Sequence, residues 1–320
     1  MRYNRNLFEQ YGVPEPEMGW TWAQFLETVA LLNGALPERQ FALAAGPSDL
    51  VLFLYVLGGR IFDSPTAPKL VRLDEAATVE AFAELASLME RGTLPATEQV
   101  QAYEWTSEDS DTVQSFAVSV VGDGADPGMA DFQAIADYSM RLSIAAQNGD
   151  VAMWFSPLEE GQAMVLGTVR VQGRLTDGAG ETGIVLLPRG EKMVTLAETT
   201  VYSLVAASKK QKDAWPWLEY LAGKLPPMSL PTRRSLLLAL ESVSRMEGDA
   251  VTVAQALAEH LDSLEILPAE TIAAAGPVAQ ALWKASMGKA ADEALAEAAD
   301  TLQTNLDEKQ TSGGQAVGFG

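Results

Sequence analysis

Short apolar runs alternate with helical stripes along this chain, and turn residues mark most of the changes of period. Met1 to Tyr3 reads as the tail of a strand. Asn4 offers an N-cap for a helix over Arg5–Gln10 that Gly12 ends. After the loop "VPEPEMGW", Thr21-Trp22-Ala23-Gln24 is a capping box that predicts a helix to about Leu32, stopped by Asn33-Gly34. Phe41–Ala44 predicts a strand. Ser48 is placed to cap the apolar helix Asp49–Leu57, which Gly58-Gly59 closes. Asp74 opens "DEAATVEAFAELASLMERG", where Val79, Phe82, Leu85 and Met89 share one face at helical spacing.

Residues 93–135 lose this regularity and predict an insertion or long loop, with the acidic "SEDSD" and the Gly/Asp-rich "GDGADPG" inside it. Tyr138–Ala146 fits either a strand or a helix. Asn148-Gly149-Asp150 is a turn, because Gly accepts a positive φ and Asn and Asp bond their own backbone. It precedes a short buried strand, Val151–Phe155, which Ser156-Pro157 terminates. "GIVLLPRG" and "ETTVYSLVAAS" predict further strands, and "KKQKDAWPWLEYLAG" a helix. "LPTRRSLL" reads as an extended turn leading into helices. Ala291, Leu295, Ala298, Leu302 and Leu306 form a stripe on a last helix, and the Gly-rich tail after Gln310 predicts disorder. Strands alternating with helices make the class α/β. Trp154 and Phe155 then stand at the end of a strand, where open α/β sheets hold ligands. A core tryptophan gives the same local pattern, so these residues alone leave both roles open.

Composition narrows the chemistry. At 320 residues the chain has material for about two domains. The net charge of −21, with 43 acidic against 22 basic residues, opposes nucleic acid and anionic membrane surfaces as partners. No cysteine is present, which removes thiol catalysis, disulfides and Cys-ligated metals. His260 is the one histidine and lies on a helical pattern, so a multi-His metal site is excluded and a helix-end surface role is expected. No apolar run is long enough to cross a bilayer, and "MRYNRNLFEQYG" has no h-region of a signal peptide.

The order of motifs resembles extracellular solute-binding proteins, the sugar-binding subunits of ABC importers similar to maltose-binding protein. "YNRNLFEQYGV" and "WTWAQFLETVALL" are followed, in the family's order, by "FALAAG", "FLYVLGGRIFD", "QNGDVAMWFSP", "GIVLLPRG", "VYSLVAASKKQKDAWPWLEYLAG", "LPTRRSLL" and "GKAADEALAEAADTLQTNL". The resemblance implies a periplasmic-binding-protein-like type II fold, two-lobed in the family and here one lobe plus part of the other. Residues 1–187 with 230–310 would form the second lobe, 188–229 a piece of the first, and 311–320 a disordered tail. In the family roughly 100–150 residues, about one domain, and a signal sequence precede the "YNRN" element, so a truncated or misannotated reading frame is expected. The 188–229 segment would then expose a sheet edge and an apolar face.

The resemblance also implies a sugar or related polyol bound between lobes by hinge closure, without catalysis, cofactor or metal. Aromatic rings give sugar C–H faces a platform and polar groups meet the hydroxyls. Carried over by position, Trp154 is the cleft tryptophan and Tyr3 the cleft tyrosine. Glu198, Thr199 and Thr200 replace a Gly-rich loop with groups able to bond hydroxyls. Phe155 alternates to the other strand face and is expected in the core. Where maltose-binding relatives carry a stacking aromatic near "ETIAAAGPVAQAL", this chain offers Ala273 to Ala275. Trp283 is expected in the core, and Trp20, Trp22, Trp215 and Trp217 as structural residues. Membrane permease subunits would be the partners, the chain a monomer, and the location extracytoplasmic, periplasmic or lipid-anchored. Two rival readings are a non-functional remnant and a carbohydrate-active enzyme using paired carboxylates. Glu108, Asp109 and Asp111 are clustered but read as a solvated loop. "SMGK", Ser286 to Lys289, is a four-residue match to S-x-x-K without the companion motifs.

Overall fold

The computed structural model describes residues 1–90, 100, 127–155, 164–166, 169–171, 181–197, 203–204, 206–223, 249–260, 262–268, 271 and 275–311. Its central sheet has four strands in the order β2-β3-β1-β6, formed by β1 (Arg2–Asn4), β2 (Phe41–Ala44), β3 (Val151–Trp154) and β6 (Thr182–Ile184). β2 and β3 run parallel, with Phe41 opposite Val151 and Ala44 opposite Trp154. β1 lies antiparallel to both of its neighbours, β3 and β6. β4 (Met164–Leu166) and β5 (Val169–Val171) pair as an antiparallel ribbon. β7 (Met193–Ala197) and β8 (Leu264–Pro268) pair in parallel as a separate two-stranded sheet.

Local sequence explains several element boundaries. The Asn4 side chain accepts from the amides of Asn6 and Leu7 and starts α1 (Arg5–Tyr11), and Gly12 ends it at φ 66°. The expected capping box is present at α2 (Trp22–Ala35): Gln24 Oε1 accepts from the Thr21 amide at 2.8 Å, and the Thr21 hydroxyl accepts from the Gln24 amide at 3.3 Å. That helix runs through Asn33-Gly34 to Ala35, because the buried stripe Phe25, Val29 and Leu32 holds it where propensity alone would break it. α3 (Pro47–Val56) is capped by Gly46 and not by Ser48. The Asp49 carboxylate, three residues on, accepts from the Gly46 amide at 2.9 Å.

α4 (Ala76–Glu90) buries Phe82 and Leu85 and half-buries Met89, whereas Val79 is exposed; Ala81 and Ala86 complete the inner face instead. Tyr138–Ala146 is helical, within α5 (Pro127–Gln147), so part of the expected loop over 93–135 is helix from Pro127. Residues 101–126, with Glu108, Asp109 and Asp111, lie outside the described residues, as do "LPTRRSLL" and 312–320. Thr311 belongs to the last helix rather than to a tail. The strand expected in "ETTVYSLVAAS" is not found at Ser203 and Leu204, and the rest of that run from Glu198 to Val205 lies outside the described residues.

α6 (Gln211–Gly223), α7 (Asp249–His260), α8 (Gly276–Ser286) and α9 (Ala291–Thr311) complete the described helices. His260 is exposed at the end of α7. The α9 stripe is as read from sequence: Leu295, Ala298 and Leu302 are buried and Ala291 and Leu306 pack beside them. α8 lies against α9, α3 and α4, and α5 covers β2 and β3. The main core gathers Phe8, Phe25, Phe53, Phe82, Leu43, Met153, Leu282 and Leu302 among others. A second, smaller core lies under α5, built from Phe41, Tyr138, Leu142, Trp154 and Trp283. Trp283 packs edge-on against Tyr138 at 5.4 Å, as a core residue.

Candidate functional site

The parallel pair β2–β3 sets the geometry. The carboxyl ends of parallel strands, where the chain turns into the next element, leave a corner lined by backbone groups and helix N-termini. Here that corner holds Ala44 beside Trp154, then Gly46 and the first turn of α3. Ser139 of α5 lies over Gly46: a Cβ there would stand 2.3 Å from the Ser139 Oγ, so a side chain at this position would force that hydroxyl aside. The Asp49 carboxylate is tied to Gly46, and burial pushes its pKa up to about 7 despite the lowering effect of that amide.

Trp154 is fully buried, and its Nε1 has no hydrogen-bond acceptor among the described residues. The indole lies among Ala44, Tyr138, Leu142 and Trp283, so it is packed in this conformation rather than an open stacking platform. Phe155 takes the opposite side, packing edge-on against Phe53 at 5.3 Å in the main core as expected.

Tyr3 is opposite Met153, whereas Trp154 is opposite Arg2. Strand alternation therefore sends Tyr3 and Trp154 to opposite faces of the sheet, and the structure does not bring them together. The Tyr3 ring lies over Gly183, where a Cβ would stand 2.1 Å from its Cζ. Its hydroxyl donates to Glu15 Oε2 at 2.8 Å, and Arg5 stands 5.2 Å above the ring. Arg5 also pairs with Glu15 and with Asp249. Burial and the Glu15 bond raise the Tyr3 phenol well above its ordinary value, so it stays a donor. This network joins β1, α1, β6 and α7, and sequence reading missed it because Asp249 is 244 residues from Arg5. Glu198, Thr199 and Thr200 lie outside the described residues.

Among the described residues no group of three or more His, Asp or Glu is placed to hold a metal ion, and no helix is long and apolar enough to cross a membrane. Ser286 of "SMGK" donates to the Trp283 carbonyl at 2.8 Å, and Lys289 Nζ donates to Glu297 at 2.5 Å; both are engaged at a helix end.

A family model described as bacterial extracellular solute-binding protein matches residues 1–224. The chain belongs to that family. Solute-binding proteins of this family act by binding, without catalysis. Solved structures place the same fold over nearly the whole chain. An ABC substrate-binding protein of Listeria monocytogenes in complex with cycloalternan matches with a TM-score of 0.56 at 14% identity, covering 96% of this chain and 69% of its own. The sugar-binding protein MalE of Xanthomonas citri matches at 0.55 and 14% identity, covering 97% and 69%. A cyclic α-maltosyl-1,6-maltose binding protein of Arthrobacter globiformis matches at 0.55 and 15% identity, covering 96% and 69%. These likenesses establish the α/β periplasmic-binding-protein fold. No curated protein matches the chain in sequence.

Proposed function

We propose that this solute-binding protein is the substrate-binding component of an ABC importer, taking a sugar or related polyol and handing it to membrane permease subunits outside the cytoplasmic membrane. The observation that carries the reading is the family match over residues 1–224. The names of the matched structures, which include binding proteins for cycloalternan and for a cyclic maltosyl-maltose, support a carbohydrate as the solute class.

The carboxyl end of the β2–β3 pair is the proposed solute corner. Trp154 is its anchor, through the indole N–H that has no acceptor among the described residues. A sugar hydroxyl accepts such a bond, and opening of the layer over the indole admits it, as hinge motion does in two-lobed binders. Glu198, Thr199 and Thr200 are the proposed polar partners of further hydroxyls. Tyr3 acts from the opposite face through the Glu15–Arg5–Asp249 network that holds β1 against β6 and α7. Titration calorimetry of the 320-residue chain against mono- and oligosaccharides tests this reading. Saturable binding of one sugar class, lost in Trp154→Ala and unaccompanied by product, is expected. Heats that never saturate for any sugar would overturn it, and product formation would favour a carboxylate enzyme.

A further inference from the structure

The chain contains two Asn-Gly pairs, Asn33-Gly34 and Asn148-Gly149. Asparagine is thermolabile, and most so before glycine, where no side chain hinders the next backbone nitrogen from reaching the asparagine side-chain carbonyl. The two pairs sit in different backbone settings. Asn33-Gly34 lies inside α2, which continues to Ala35 and closes with the Leu36 amide on the Leu32 carbonyl at 2.8 Å. Helical side chains tilt toward the N-terminus, so the Asn33 side chain is turned from the amide that follows it. Asn148-Gly149 stands just past the end of α5, with Asn148 exposed and Gly149 left-handed at φ 81°. The Asp150 amide there donates to the Ala145 carbonyl at 2.8 Å and the Gly149 amide to the Ala146 carbonyl at 3.2 Å. Helix ends open first, so releasing the Gly149 nitrogen breaks one long bond and leaves β3 paired. The same turn is a junction. Buried Asn4 caps α1 through Oδ1 and donates through Nδ2 to the Gly149 carbonyl at 3.3 Å. The Asp150 carbonyl accepts from the Phe41 amide of β2 at 2.8 Å, and β3 begins at the next residue, Val151.

We propose that Asn148 is a site of spontaneous covalent modification, forming a succinimide with Gly149 whose opening loosens the junction of α5 with the central sheet. The Gly149 nitrogen gives its proton to hydroxide and attacks Cγ of Asn148. The N–Cγ bond forms, the Cγ–Nδ2 bond breaks, and Nδ2 leaves as ammonia with a proton from water, which restores the hydroxide. Water then opens the ring at one of its two carbonyls. Opening at Cγ gives aspartate at position 148 with the backbone as before. Opening at the backbone carbonyl gives isoaspartate, in which the chain runs through the side chain and is one atom longer. Water and hydroxide are the co-reactants, and nothing is oxidised or reduced. Either product places a carboxylate at the C-terminal end of α5, where the helix dipole is negative, and two residues from Asp150. The longer isoaspartyl chain also carries the Gly149 and Asp150 carbonyls away from Asn4 and Phe41, their present donors.

Incubation of the purified 320-residue chain at mildly alkaline pH, followed by peptide mapping and isoaspartate labelling, tests the proposal. The same chain unfolded in guanidinium chloride is the reference, because both Asn-Gly pairs then have equivalent backbones. In the folded chain Asn148 should convert at least tenfold faster than Asn33, at a rate proportional to hydroxide concentration. Equal conversion at the two sites, or faster conversion at Asn33, would overturn the assignment. Asn148→Gln should abolish the replacement of NH2 by OH in this peptide, and a gain of mass that persists would place the chemistry elsewhere. The isoaspartyl form, separated by ion exchange, should melt below the intact chain, with Asn148→Asp between them because it keeps the backbone length. An isoaspartyl form that melts with the intact chain would show that the turn absorbs the extra atom and would overturn the loosening of the junction. None of these measurements uses a solute, so failure here and failure of the solute reading are separable.

Discussion

A buried indole N–H without an acceptor costs about 1–3 kcal/mol, and Trp154 is the described residue that bears this cost. Trp154→Phe removes the orphan donor and leaves a small gap, two effects of opposite sign. The melting temperature in the absence of solute should therefore shift by only a few degrees, while affinity for the sugar found by calorimetry falls at least tenfold. An unchanged affinity would remove the indole N–H from the solute site. Asp49 carries a pH signature. Its folded pKa of about 7 lies above the ordinary value of 3.8, so the folded state holds the proton more tightly. Its favourable contribution is complete below the unfolded value and is lost as the pH rises from about 4 through about 7. Urea unfolding across that range should show stability declining with pH, with a flatter profile in Asp49→Asn. A parallel decline in both proteins would place the effect elsewhere. Tyr3 shows what residue identity alone leaves open about place. The resemblance implies a cleft role for it, and the structure places its ring over Gly183 and its hydroxyl on Glu15.

At the level of elements, local signals worked where the determinants lie within one turn. The Thr21–Gln24 box and the Asn4 and Gly12 caps were read directly from sequence, because each uses groups three residues or fewer from the helix end. Thr21→Ala should cost about 1 kcal/mol in chemical denaturation. α3 is capped two residues before the position Ser48 suggests, at Gly46, where Pro47 takes the first helical position and the Asp49 carboxylate accepts from the Gly46 amide. The α9 stripe was legible because a single helix face repeats every three to four residues. Leu302, buried in the main core, should lose about 2–5 kcal/mol on conversion to alanine, measured by urea unfolding. Val79 shares the apparent stripe of α4 and yet faces solvent, since the covered face is turned toward Thr78, Ala81 and Ala86.

For the whole molecule, the decisive feature is the uneven cover of its apolar surface. α8 sits within a shell formed by α3, α4, α5 and α9, whereas α6 and the outer face of β7–β8 meet solvent through Trp217, Tyr220 and Ile266. The isolated chain should bind a hydrophobic dye under native conditions, and Trp217→Glu with Tyr220→Glu should cut that signal severalfold without lowering the melting temperature. Dye binding that survives both substitutions would locate the exposed surface elsewhere.

The sequence by itself determined the α/β class, the short-range caps, the α9 face, the exclusion of cysteine chemistry and the family, because these depend on residue type, on period and on the order of motifs along the chain. Only the tertiary structure decided that Tyr3 and Trp154 point to opposite faces and that Arg5 joins Glu15 to Asp249. Each of these is a relation between residues far apart in the chain. Strand register and close packing set such relations, and no local pattern encodes them.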